Sequence, residues 1–166
     1  MTATAAAGCT SGSGSAPAEA PGGAVRRTGT SISTAPPGPD VALAARLLAA
    51  ERVLAARVGA VQRRHPGVAV ALSDARAIHR AHARLLRRAV PDPDPQAPRP
   101  SRVRVPGSVT DALSALADDE RGLGALQRSL ALQSRSGPFA RVLACMAAAT
   151  AQQVEQLTVA AARARR

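Results

Sequence analysis

Polar residues stand where helical stripes should be apolar. Glu51 interrupts Ala44–Leu47–Glu51–Leu54–Val58–Val61, and His79 and His82 interrupt Val68–Leu72–Ala75–His79–His82–Leu86–Ala89. Glu120 lies in Val109–Leu113–Leu116–Glu120–Leu123–Gln127–Leu130, and Thr150 and Gln153 lie in Phe139–Leu143–Met146–Thr150–Gln153–Leu157–Ala160. A carboxylate or imidazole buried alone is costly, so each needs a partner or a metal. Two imidazoles at i and i+3 share a helix face. With two carboxylates, Glu51, His79, His82 and Glu120 would form a donor set suited to one zinc or mononuclear iron ion. The same residues can instead form a hydrogen-bonded polar layer. Glu51 and Glu120 would then accept from His79, His82, Gln153 or an Arg, which fixes helix register. The polar layer is the leading expectation, the single ion the second, and acid–base catalysis the third. No residue is assigned as catalytic and no cofactor is required.

All four stripes step by three and four residues, the period of helices packed in a bundle. The pattern predicts helices over about 41–64, 68–90, 108–134 and 138–164. Asp40 reads as the N-cap of the first helix, and His65-Pro66-Gly67 ends it. Ser108 with Asp111 is close to a capping box, and Pro138 suits a first turn. Gly122 and Gly124 weaken the third helix and would let a neighbour approach. Residues 91–107 are a Pro-rich linker. Short turns inside each pair of helices give an all-α, up-down-up-down four-helix bundle over 40–166, preceded by a disordered tail over 1–39.

The chain has 166 residues and one Phe, with no Tyr or Trp, so Leu, Val and Ala must build the core. No run of 18 or more apolar residues occurs, so no helix is expected to span a membrane. The net charge is +11, and every basic residue is Arg. Nucleic acid or another anionic surface is one reading of that charge. The Arg residues are spread over helix faces (Arg46, Arg57, Arg76, Arg80, Arg84, Arg121, Arg128), and there is no aromatic platform for bases. A GC-rich coding sequence, which enriches Arg, Ala, Gly and Pro together, accounts for the charge better.

The tail carries Ala6-Ala7-Gly8-Cys9, followed by Thr10-Ser11-Gly12-Ser13-Gly14-Ser15. Small residues before a Cys and a Ser/Gly tether after it resemble a bacterial lipobox and its linker, which makes Cys9 the lipidation site. Eight residues cannot hold the charged and apolar regions of a signal peptide. The true start is therefore expected upstream of Met1, with the mature protein lipid-anchored on the extracytoplasmic side; otherwise the chain is cytoplasmic. Arg26-Arg27 has no apolar run after it and is no twin-arginine signal. Cys145 reads as a small buried hydrophobe, and His65 as a solvated helix-end residue. There is no Gly-rich phosphate loop, no G-x-S-x-G and no H-E-x-x-H.

Residues from about Asp40 to Gln156 resemble the ferritin-like domain of small lipoproteins of high-GC bacteria, a family of largely unknown function. The resemblance rests on Leu48-Ala49-Ala50-Glu51, Arg64-His65-Pro66-Gly67, His79-Arg80-Ala81-His82 with Leu85-Leu86, and Ala117 to Gly124 around Glu120. In metal-binding members of the wider ferritin-like group, two helices each give a Glu and two each give Glu-x-x-His. Carried over, Glu51 and Glu120 match the single carboxylates. His79-x-x-His82 keeps the His and replaces the Glu. Thr150-x-x-Gln153 keeps neither ligand, so these are degenerate positions and a di-iron centre is not expected. The resemblance implies a non-catalytic bundle whose partners are a protein or envelope ligand, the membrane through Cys9, and a second copy of the chain as a homodimer. A metal-binding or redox ferritin-like protein is the alternative, and a basic cytoplasmic protein associated with nucleic acid is the second.

Overall fold

Alanine, leucine and arginine dominate the long apolar–polar stretches, and all three are strong helix formers. The structure is a computed structural model and describes residues 38–90 and 104–166. The expected tail, including Cys9, lies outside these residues up to position 37, as does the Pro-rich linker over 91–103. The described residues form four helices: α1 (Pro39–Arg64), α2 (Ser73–Ala89), α3 (Val109–Gln133) and α4 (Gly137–Ala164). None is long and apolar enough to cross a membrane. Together they make the expected all-α four-helix bundle.

The Ser108 cap is as expected, and Ser136 adds a second that the sequence reading does not single out. Ser108 Oγ accepts from the Asp111 amide, and Ser136 Oγ accepts from the Phe139 amide just ahead of α4. Asp40 does something else. Helix α1 starts one residue before it, at Pro39, with Gly38 as N-cap. The Asp40 carboxylate accepts from the amides of Arg135 and Ser136, 2.9 and 2.8 Å away, in the α3–α4 turn. A residue expected to close its own helix instead ties that helix end to the far turn.

Helix α2 begins five residues later than the periodicity suggests. Pro66–Val68 forms a short 3-10 turn, and Gln62 Nε2 donates to the Ala69 carbonyl at 3.0 Å. The Ser73 amide and hydroxyl then both bond the Val70 carbonyl, so the chain stays in turns up to Ser73. His65 is half-buried, and its Nε2 lies 3.0 Å from the Pro106 carbonyl, so it fastens this connection to the start of α3 rather than facing solvent alone. Ala89, expected in the stripe, is exposed and Val90 is buried in its place. Cys145 is also exposed: it falls between Leu143 and Met146 and is turned off their stripe.

The alternating helix direction is corrected. Asp40 meets Arg135 and Ser136, Glu51 meets Gln127, Arg57 pairs with Asp119, and His65 meets Pro106. Numbers rise along α1 as they fall along α3, so these two helices are antiparallel. Gln62 meets Arg76 near the α1–α2 turn, and Arg121 meets Thr158 across α3 and α4, so each consecutive pair is antiparallel as well. The order is up-down-down-up, with α2 and α3 running the same way. The chain therefore passes from one end of the bundle to the other between Val90 and Arg104.

The core is a single layer of Leu, Ala and Val with Met146. Leu47, Leu72, Leu86, Leu113, Leu130 and Leu143 are each at most 1 % exposed. Helices α3 and α4 pack most extensively, followed by α1 and α2. Gly124 is buried against α4, whereas nothing stands near Gly122, so only the first of the two serves close approach. Leu113→Ala should destabilise the protein by about 2–5 kcal/mol in urea unfolding through transfer and cavity terms. Leu132→Ala, at a position 90 % exposed, should stay within about 0.5 kcal/mol.

Candidate functional site

Halfway along the bundle, α1, α2 and α3 meet at polar side chains. Glu51, His79 and Glu120 are all 0 % exposed. His79 Nδ1 lies 2.7 Å from Glu51 Oε2, and its Nε2 lies 2.8 Å from Glu120 Oε1. An ionised carboxylate only accepts, so the ring donates from both nitrogens and is an imidazolium. His82 Nδ1 donates to Glu51 Oε1 at 3.0 Å, and Gln127 Nε2 donates to the same oxygen at 3.0 Å.

The charges are held by these bonds. Burial alone would push the His79 ring towards its neutral form. The hydrogen bonds to Glu120 and Glu51, with their negative charges, overcome that and raise it to about 9. Burial would likewise raise the Glu51 carboxyl, but hydrogen bonds from His79 and His82 hold it below its ordinary value.

Glu51 therefore has three donors and Glu120 has one. Among the described residues, Glu120 Oε2, Gln127 Oε1 and Thr150 Oγ1 are buried with no hydrogen-bond partner. An unmet buried polar atom costs about 1–3 kcal/mol, and all three lie in or beside this layer. Glu120 and Thr150 also line a cavity between α3 and α4.

The structure brings Glu51, His79, His82 and Glu120 together, as their stripes suggest. Donor atoms of Glu51, His79 and His82 all lie within 4.8 Å of one another and could hold a cation. Glu120 stands on the other ring nitrogen of His79. Thr150 is buried on α4, its methyl 3.5 Å from where a Cβ on Gly124 would sit. Gln153 is buried and lines a groove with Leu72 and Leu157. The amide that reaches Glu51 comes from Gln127. Its signal was a polar residue on the α3 stripe, seven positions after Glu120.

No family model, curated protein or solved structure matches this chain.

The shifted groups set a pH window for stability. His79 is raised from 6.5 to about 9 in the folded state, so its contribution is complete below 6.5 and is lost as pH rises through 9. Glu51 is lowered, so its contribution is present above its ordinary value of 4.5 and is lost as pH falls below it. Urea unfolding should give a stability plateau between these limits, with a decline on the alkaline side. His79→Gln should flatten the alkaline decline.

Proposed function

We propose that this chain is a non-catalytic, ferritin-like helical bundle that binds a ligand or partner at the cell envelope, held to the membrane by a lipid on Cys9. The observation that carries the non-catalytic reading is His79. Its ring is wholly buried, and a carboxylate occupies each nitrogen within 2.8 Å. A general acid or base must come within hydrogen-bond reach of the proton it moves, and this ring offers none. The bonds join three helices, which is the work of a register-fixing layer.

Two further features support the rest of the reading. One long connection between parallel α2 and α3 is the arrangement of ferritin-like bundles, which carry a single long crossover. The four polar stripe positions fit that ancestry with half of its ligands replaced. The anchor rests on Ala6-Ala7-Gly8-Cys9 and the Ser/Gly stretch after it.

One observation favours a second reading, in which Glu51, His79 and His82 hold a single zinc or iron ion: their donor atoms lie within 4.8 Å of one another. His79 would give up its Nδ1 proton and keep Nε2–H on Glu120, as metal-bound imidazoles commonly do with a carboxylate. The ion would supply Lewis-acid or one-electron chemistry.

Elemental analysis of protein purified without chelator separates the two. The polar layer gives no stoichiometric metal, and His82→Ala changes nothing. One zinc or iron per chain, lost in His82→Ala, would replace the layer by a metal centre. Fatty-acid labelling in the native host tests the anchor. Label on the protein, with Cys9→Ser moving it from membrane to soluble fraction, is expected; an unlabelled soluble protein removes the envelope reading.

A further inference from the structure

The charges divide unevenly between the two halves of the bundle. Residues 38–90 hold ten Arg and three acids, whereas residues 104–166 hold eight and five. Of the three acids, Glu51 is buried and Asp40 is held by the α3–α4 turn, which leaves Asp74 in the first turn of α2. A GC-rich coding sequence raises the amount of Arg, but it does not keep acids off one face. On α2, Arg76, Arg80, Arg84 and Arg88 follow one another at i+4, which sets them in one row. Arg80, Arg84 and Arg88 are exposed, and among the described residues no hydrogen bond or ion pair engages them. Arg63 Nη1 lies 3.5 Å and Arg76 Cζ 4.0 Å from where a Cβ on Gly59 would sit, so α1 adds a guanidinium beside the first of the row. Arg76 donates to Gln62 Oε1 at 3.4 Å, a neutral partner.

Such a row works against the fold. Like charges at i and i+4 repel and weaken a helix, where a Glu among them would strengthen it. The row calls for anions from outside the chain. A guanidinium binds phosphate oxygens as a fork, and Arg63 and Arg76 stand on either side of one point. A second exposed row, Ala77, Ala81 and Leu85, runs beside the first, and Leu85 is 44 % exposed. Basic and apolar residues side by side on an outward helix face suit the boundary between headgroups and acyl chains. Nucleic acid would use the charges but gain little from the apolar row. Helix α2 also lies packed along α1, with no element projecting to enter a groove.

We propose that the outer face of α2, with Arg63 of α1, docks on a bilayer of anionic phospholipid. Arg80, Arg84 and Arg88 lie on headgroup phosphates, and Leu85 enters between the headgroups. The proposal rests on the envelope reading and deepens it by naming the surface that the bundle itself touches. A single lipid chain binds a membrane only marginally, and a basic patch supplies the second attachment.

Vesicle sedimentation of the purified full chain carrying Cys9→Ser, which removes any lipid, tests this. Saturable binding is expected to mixed vesicles of phosphatidylglycerol and phosphatidylcholine, with none to phosphatidylcholine alone. It should weaken as salt rises from about 0.1 to about 0.5 M. Each Arg at an anionic surface contributes about fivefold, so Arg63→Gln, Arg80→Gln and Arg84→Gln together should weaken binding about a hundredfold. Arg128→Gln, Arg141→Gln and Arg163→Gln, all exposed on α3 and α4, remove the same charge and should weaken it less than about threefold. Leu85→Gln should weaken vesicle binding as well. Should the first set not fold, the single Arg84→Gln, about fivefold weaker, decides. No binding to the mixed vesicles, equal losses in the two sets, or duplex DNA bound more tightly than the vesicles at the same salt overturns the proposal. Vesicle binding by a chain that carries no lipid in the host would keep this face and remove the anchor. A lipidated chain whose Cys9→Ser form ignores the vesicles would keep the anchor and remove this face.

Discussion

One imidazolium between two carboxylates sets the terms for the rest of the bundle. His79 is fully enclosed, and it reaches Glu51 on α1 and Glu120 on α3 at 2.7 and 2.8 Å. Leu and Ala faces alone would allow helices to slide by a turn with little loss, because their contacts are non-directional. A ring whose two N–H vectors are each spoken for permits one register only. Breaking such a buried pair leaves an uncompensated charge, which costs about 3–5 kcal/mol. The layer therefore serves specificity more than net stability.

The outer contacts repeat that register towards both ends. Asp40 holds the α3–α4 turn at one end of α1, and His65 holds Pro106 at the other. Arg57 and Asp119 pair between them. All of these link α1 to α3 or its flanks, so they fix how the α1–α2 hairpin sits against the α3–α4 hairpin. The layer is less complete on its α4 side. There Thr150 supplies an unpartnered hydroxyl, Gly124 leaves space, and Glu120 keeps one oxygen without a donor.

Much of this was legible in the residue pattern, and the misses have physical causes. The four stripes located the helices because burial in a bundle demands a three-and-four spacing, and the polar interruptions located the layer because an isolated buried charge is so costly. Helix direction was not legible. Periodicity says which face is buried, but not whether a Pro-rich segment turns back or crosses over. The start of α2 is not legible because Val68 and Leu72 keep the apolar spacing through a turn in which the Ser73 amide and hydroxyl bond the Val70 carbonyl. Asp40 was read locally as a cap, and its true partners lie 95 and 96 positions away. Gln127 was visible on its stripe, but a single amide does not reveal which carboxylate it will reach. The spare oxygens of Glu120 and Thr150 emerge only when every donor around them is placed.

The protonation of His79 is the most direct test of the whole arrangement. Nitrogen-15 NMR of the histidine rings at pH 7.5 reads both nitrogens at once. A structural imidazolium gives two protonated nitrogens for His79, protected from exchange and unchanged by added chelator. A single protonated nitrogen, with the other lone pair free or bound to a metal, would contradict it.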